Sequence, residues 1–456
     1  MSITISSVQK EASALGKIGG PVVGTQLLGM GLNVTDTIMA GQLSAADLAG
    51  VAVGNALYLP VFMFGIGILV AINPVVSHHL GGKRFDEIGK SARQMLWVVA
   101  LIAFPSFFLV RWLPNLMPIV GVDPEIIPLA TDYMLAASWG IPAYFLFSGF
   151  RYFSEGLAYT RPAMLVALGM LIVNIPADYV FMYGAFGLPQ LGAEGTGYAT
   201  SLVQWSGGLA MLLFTAKFKT YRRFNIFTHS KGPDWSRIVE LLKIGVPNAL
   251  STTMEVLLFA AVSVLMATLS VQASAAHQVA INIAATVFMI PLGLSLAISQ
   301  RVGVSMGKGL LREARFRGFM GTAVCTGVTT ITAILLFSFP ETIISIYTQD
   351  VEVTNLAVSL VFFAAVFQLS DGLQVGAFGA LRGLKDTRMP MVFNLISYWF
   401  IGFSVGYYLS FIGRYGPEGL WIGLIAGLTT AAILHNTRFH LLTRNKKTNK
   451  DAEPKI

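Results

Sequence analysis

Twelve stretches of about 20 largely apolar residues run along this chain, each long enough to cross the roughly 30 Å hydrocarbon core of a bilayer. No other feature constrains the fold as strongly. Backbone N–H and C=O groups at that depth must be satisfied internally, and only helices and closed barrels achieve this. A barrel would need alternating segments of about 10 residues, whereas these runs are continuous in Leu, Ile, Val, Ala and Gly. Charged residues make up only 12% of the 456 positions, about half the share in a soluble protein, so the chain cannot coat itself with polar surface. The expected fold is an all-α polytopic membrane protein with 12 transmembrane helices, near residues 13–38, 47–77, 95–114, 126–150, 163–184, 194–216, 239–268, 275–303, 319–339, 353–381, 390–412 and 417–437. Cys325 is the single cysteine, so no internal disulfide can form.

The formal charge of +8 is explained by where the cations fall. Of 31 Lys and Arg, all but Arg111 and Arg414 belong to the side that carries the termini and the even-numbered loops. The opposite loops hold Asp47, Asp123, Glu125, Glu194, Glu341, Asp350 and Glu352. By the positive-inside rule both termini are cytoplasmic, and the basic loops are orientation signals rather than a nucleic-acid surface. Residues 1–12 lack the apolar core of a cleaved signal peptide.

The two halves repeat each other. Lys17-Ile18-Gly19-x-Pro21 returns as Lys243-Ile244-Gly245-x-Pro247, and Gly156-Leu157-x-x-Thr160-Arg161-x-x-Met164 as Gly383-Leu384-x-x-Thr387-Arg388-x-x-Met391. Ser44-Ala45-Ala46 pairs with Ser274-Ala275-Ala276, and Gly192-x-Glu194-Gly195 with Gly416-x-Glu418-Gly419. Six helices per repeat make the halves parallel about an axis along the membrane normal, a build in which transporters place substrate between the halves. The organisation expected is an N-terminal lobe over 1–216, a cytoplasmic linker over 217–237, a C-terminal lobe over 238–440 and a disordered cytoplasmic tail over 441–456.

Four carboxylates lie at membrane depth: Asp36, Asp178, Glu255 and Asp371. An ionisable group at mid-bilayer costs about 2.5–3.5 kcal/mol on insertion scales, so each needs a lumen or a partner. Gln26, Gly29, Asn33 and Asp36 form one stripe on the first helix, and Asn248, Thr252, Glu255 and Phe259 another on the seventh. Phe367, Gln368, Asp371, Gln374 and Phe378 line the tenth. On the fifth, Asn174 and Asp178 flank Pro176, which interrupts the helical ladder. Oxygen sets of this kind suit a hard cation, and paired carboxylates suit a proton; the residues alone leave both open. Gln278 shares a face of the eighth helix with Asn282, while His277 reads first as a structural hydrogen-bonder. Phe259, Phe288 and Phe367 share faces with the acids and could line an adaptable apolar cavity.

Together, Val34-Thr35-Asp36-Thr37-Ile38-Met39-Ala40-Gly41, Asn174-Ile175-Pro176, Glu255, Ala275-Ala276-His277-Gln278-Val279-Ala280, Asp371 and Leu381-Arg382-Gly383-x-Lys385-Asp386 resemble the multidrug and toxic compound extrusion transporters, in particular their NorM-like bacterial branch, over about residues 10–440. The resemblance implies two six-helix lobes in a V, alternating access, and export of small organic cations such as cationic dyes and fluoroquinolone-like drugs in exchange for Na+ or H+. It implies a monomer in the bacterial inner membrane with no cofactor beyond the coupling ion. It places family cation sites on Glu255 and Asp371, and a further site, possible for Na+, on Asp36, Asn174, Asp178 and Thr196. Phe367 stands where several relatives carry Tyr, which removes an oxygen from the C-terminal lobe, so coupling is expected mainly in the N-terminal lobe.

Two rival readings remain. An intramembrane enzyme finds no His-Glu-x-x-His, Gly-x-Ser-x-Gly or P-loop string to support it. A flippase for a lipid-linked or other amphipathic substrate would line its cavity with cations, whereas acids prevail within these helices.

Overall fold

The computed structural model describes residues 5–119, 121–187, 189–227 and 232–444. Twelve helical rods run in chain order: α1 Ile5–Leu43, α2 Ala45–Gly81, α3 Phe85–Leu116, α4 in two pieces (Ile126–Ser138 and Ile141–Gly156), α5 Arg161–Tyr183, α6 Ala193–Lys217, α7 Trp235–Leu269, α8 Val271–Gly307, α9 Leu311–Ser338, α10 Val351–Gly383, α11 Arg388–Ile412 and α12 Pro417–Thr443. Nine of them, among the described residues, are apolar and long enough to span by composition alone. The other three, α1, α4 and α6, are the rods diluted by polar residues or broken. The break in α4 falls at Trp139–Gly140, where a Cβ on Gly140 would stand 2.1 Å from the Gln204 side-chain oxygen of α6. The expected tail at 441–456 begins late, because α12 runs on to Thr443; residues 445–456 lie outside those described.

The caps refine the internal repeat. Ser44 accepts from the Asp47 amide at 2.9 Å to start α2, and Ser270 accepts from the Ala273 amide at 3.0 Å to start α8. The structural counterpart of Ser44 is therefore Ser270 rather than Ser274, an offset equal to that between Lys17 and Lys243. Gly192 and Gly416 precede α6 and α12 with φ 59° in both cases, a backbone position that Cβ-bearing residues rarely adopt.

Rods α1–α6 and α7–α12 form two lobes whose apolar packing runs on across the join, with Ile244 and Leu296 in the core of the first half and Leu15 in a core of the second. They meet along a seam where α1 packs on α8 and α2 packs on α7 and α8. Lipid tails are as apolar as Leu, so helices in a bilayer are held by close packing of small residues rather than by burial from water. Gly81 shows this directly: a Cβ there would lie 2.1 Å from the Val304 carbonyl oxygen. Side-chain bonds across the seam gather at the end that bears the basic loops. His78 Nε2 and the Gly383 carbonyl lie 2.8 Å apart, Asn248 Nδ2 donates to the Gly67 carbonyl at 2.9 Å, and Glu11 accepts from Arg301 Nε at 2.8 Å. Arg237 Nη1 adds a bond to Glu87 at 2.6 Å. The lobes are thus joined at one end.

Candidate functional site: two carboxylate clusters and a polar seam

The first cluster lies in the half of the N-terminal lobe away from the basic-loop end. Asn174 Nδ2 donates to Asp36 Oδ1 at 2.9 Å, which ties α5 to α1, and Thr200 Oγ1 of α6 stands 3.4 Å from the other Asp36 oxygen. Asp178, one turn beyond Asn174, is fully buried beside Asp36. Neither of its oxygens has a hydrogen-bond partner among the described residues, and the same is true of Asn174 Oδ1 and Thr196 Oγ1. A buried acceptor left unmade costs about 1–3 kcal/mol, so this set of oxygens fits a bound cation or a proton. The four expected residues are all on the three helices that meet here. Thr200 was missed, although its spacing of four from Thr196 puts both on one face of α6. Tyr133 of α4, which the two acids reach electrostatically, was missed too.

Only part of the stripe expected on α1 belongs to this cluster. Gln26 turns instead to Arg151, and Asn33 is exposed with its amide 3.4 Å from its own Gly29 carbonyl.

The second cluster sits nearer mid-depth in the C-terminal lobe. Asp371 is buried with both oxygens unpartnered among the described residues, and Glu255 of α7 lies within electrostatic reach of it. Gln374, one turn on, donates to the Tyr398 hydroxyl at 2.9 Å. Tyr398 belongs to a stretch of α11, Leu395–Phe403, wound as a π-helix, whose wide turn is a form often found at functional sites. Nothing in the aromatic run around Tyr398 marked it beforehand. Phe367 packs between Phe259 and Trp421, with ring centroids 6.0 Å from each. His277 meets Ser263 Oγ at 3.0 Å and lies edge-on to Trp421. Gln278 is exposed and its backbone carbonyl accepts from Asn282, apart from the buried acids; Phe288 is half-buried.

A third group occupies the seam between the clusters. Arg151 donates to Glu155 Oε1 at 2.8 Å and to Gln26 Oε1 at 2.6 Å. Opposite, Arg382 donates to Ser295 Oγ at 2.8 Å and reaches Asn248 Oδ1 at 3.4 Å, within electrostatic reach of Glu155. The i, i+4 spacing of Arg151 and Glu155 is a readable ion-pair signal that the emphasis on carboxylates passed over. Both arginines are occupied by the protein itself.

A family model described as MatE matches residues 21–180 and 247–408, one segment in each half. The chain belongs to the MatE family. It is 36% identical over 439 residues to the probable multidrug resistance protein NorM of Idiomarina loihiensis, covering 95% of each chain. It is 38% identical over 434 residues to the multidrug resistance protein PmpM of Pseudomonas aeruginosa, covering 94% of this chain and 91% of that one. Among solved structures, the eukaryotic MATE transporter AtDTX14 superposes with a TM-score of 0.88 at 18% identity, over 95% of this chain and 96% of that one. An outward-facing multidrug resistance MATE family transporter gives 0.87 at 17% identity, over 95% and 96%. These structural matches place the MatE chain in the twelve-helix, two-lobe fold.

Proposed function

We propose that this MatE protein is a multidrug efflux transporter that exchanges Na+ or H+ for small organic cations by alternating access. The observation that carries the reading is the Asp36 cluster: half-buried Asp36 beside buried Asp178, Asn174 and Thr196, whose side-chain oxygens are left without partners among the described residues, on three helices of a single lobe. In this reading Asp36, Asn174, Asp178 and Thr196 hold the incoming cation. Two carboxylates that close cannot both stay ionised and unpartnered at low cost, so the same oxygens accept either one Na+ or a proton. Glu255 and Asp371 supply negative charge to the route of a cationic drug, and Phe259 and Phe367 supply apolar surface that repacks around varied ligands. Pro176 removes one backbone hydrogen bond of α5 between Asn174 and Asp178, giving occupancy a weak point through which to act.

The positive-inside pattern orients both termini to the cytoplasm, in a bacterial inner membrane. The joined end of the lobes then faces inward. Names of the relatives, multidrug resistance proteins of bacteria, support the substrate class. The flippase reading loses ground because Arg151 and Arg382 are engaged within the seam rather than free for an anionic cargo. The deciding experiment is ethidium efflux from proteoliposomes with a Na+ gradient and a pH gradient imposed separately and no ATP present. Uphill efflux with either gradient is expected, and a strict need for added ATP overturns the reading.

A further inference from the structure

One pocket lies outside both carboxylate clusters and the seam. It opens at the basic-loop end, between α1, the start of α5 and the segment that follows α6, with a volume of about 270 Å³. Lys17, Tyr159, Thr160, Arg161, Phe218 and Tyr221 line it. Neither Lys17 nor Arg161 makes an ion pair or a side-chain hydrogen bond among the described residues. Thr160 is only 4% exposed, yet its hydroxyl makes no capping bond to α5 and has no other partner. No side chain caps the start of α5 in the same place, where a helix N-terminus favours negative charge, and Pro162 in that turn has no N–H. Arg223 reaches the rim, donating to the Tyr159 hydroxyl at 2.8 Å.

The second half provides an internal comparison. Its matching turn has the same backbone, φ 63° at Lys385 against 64° at Ala158. There Lys385 donates to Glu240 at 2.8 Å and Arg438 to Asp386 at 2.9 Å, while Lys243 and Arg388, the repeats of Lys17 and Arg161, make no ion pair among the described residues. No carboxylate lines the first-half pocket among the described residues. Two cations, the Thr160 hydroxyl and a helix N-terminus converge without an anion, and exposed Phe218, stacked on Phe214 at 4.6 Å, extends the pocket as an apolar wall.

We propose that this pocket binds a phosphate group, that of an acidic phospholipid headgroup, with the acyl chains running along Phe214 and Phe218. A basic pocket between helices at headgroup level is the chemistry that recognises such lipids. The apolar wall favours the lipid over free phosphate.

The test uses the full-length protein, delipidated in detergent and titrated in native mass spectrometry with phosphatidylglycerol, with phosphatidylcholine of the same chains, and with inorganic phosphate. Phosphatidylglycerol should be retained in preference to phosphatidylcholine. The double variant Lys17→Gln/Arg161→Gln should bind it about thirtyfold more weakly, since each cation near an anionic headgroup contributes on the order of fivefold. Lys385→Gln/Arg438→Gln should bind it as the wild type does. Thr160→Val, which removes one hydroxyl and leaves the charges, should lower phosphatidylglycerol affinity a few-fold with phosphatidylcholine unchanged, and it decides the matter if the double variant does not fold. Equal retention of the two lipids, or undiminished binding by these variants, overturns the proposal. Retention of inorganic phosphate without phosphatidylglycerol overturns the assignment to lipid.

Discussion

In the proposed coupling site Asp36 is bonded by Asn174 and Thr200, while Asp178 has Asn174 and Asp36 beside it but no hydrogen bond of full geometry. Removing the Asp36 charge should therefore abolish uphill efflux in Asp36→Asn. Asp178→Asn should change the Na+ or pH dependence of efflux more than its drug affinity, as read from dye efflux at varied Na+ and pH. If instead Phe367→Tyr shifts those dependences and Asp178→Asn does not, the second cluster does the coupling. Glu255→Gln and Asp371→Asn should each weaken ethidium efflux by about tenfold, with membrane expression intact on immunoblots. Carboxylates at membrane depth stood out in the sequence because so few charges occur there. Tyr398 did not, since a hydroxyl adds little to the pattern of an apolar run and gains meaning only when α11 is seated against α10.

At the scale of the helix, Ser44 and Ser270 perform the same capping at equivalent places in the two halves. Ser44→Ala and Ser270→Ala should each cost about 1 kcal/mol, measured as similar falls in the thermal unfolding midpoint of the detergent-solubilised protein, whereas Ser274→Ala should cost far less. Helix number and order were legible from hydropathy; helix ends were not. Rod α1 begins at Ile5, eight residues before the apolar run expected at 13, because Glu11 is held by Arg301 and Arg317 from the other lobe. Hydropathy cannot register a partner nearly 300 residues away. The same holds for α4, whose break lies against Gln204 of α6, a contact that hydropathy does not register.

Over the whole molecule, the seam is the element that the proposed alternating access would have to break. Glu11→Gln leaves Arg301 and Arg317 without their shared acid and should weaken the joined end by about 1–2 kcal/mol, a partly exposed pair being worth less than a buried one. That is roughly a tenfold change in the ratio of open to closed forms at that end. Spin-label distances across the seam would report it, in a background where the single, buried Cys325 is replaced by Ala. The seam also bears on how the two halves came to depend on each other. Glu155 and Arg382 each stand immediately before the glycine that opens the matched turn, so they are the same position in the two copies, and they face one another with opposite sign. Two copies of the first half would bring glutamate against glutamate there, and two copies of the second would bring arginine against arginine. Expressed as separate polypeptides, residues 1–227 and 232–456 should consequently co-purify as a mixed pair and not as pairs of like halves. The duplication, once its two copies had diverged at this point, could no longer be undone into a symmetric dimer.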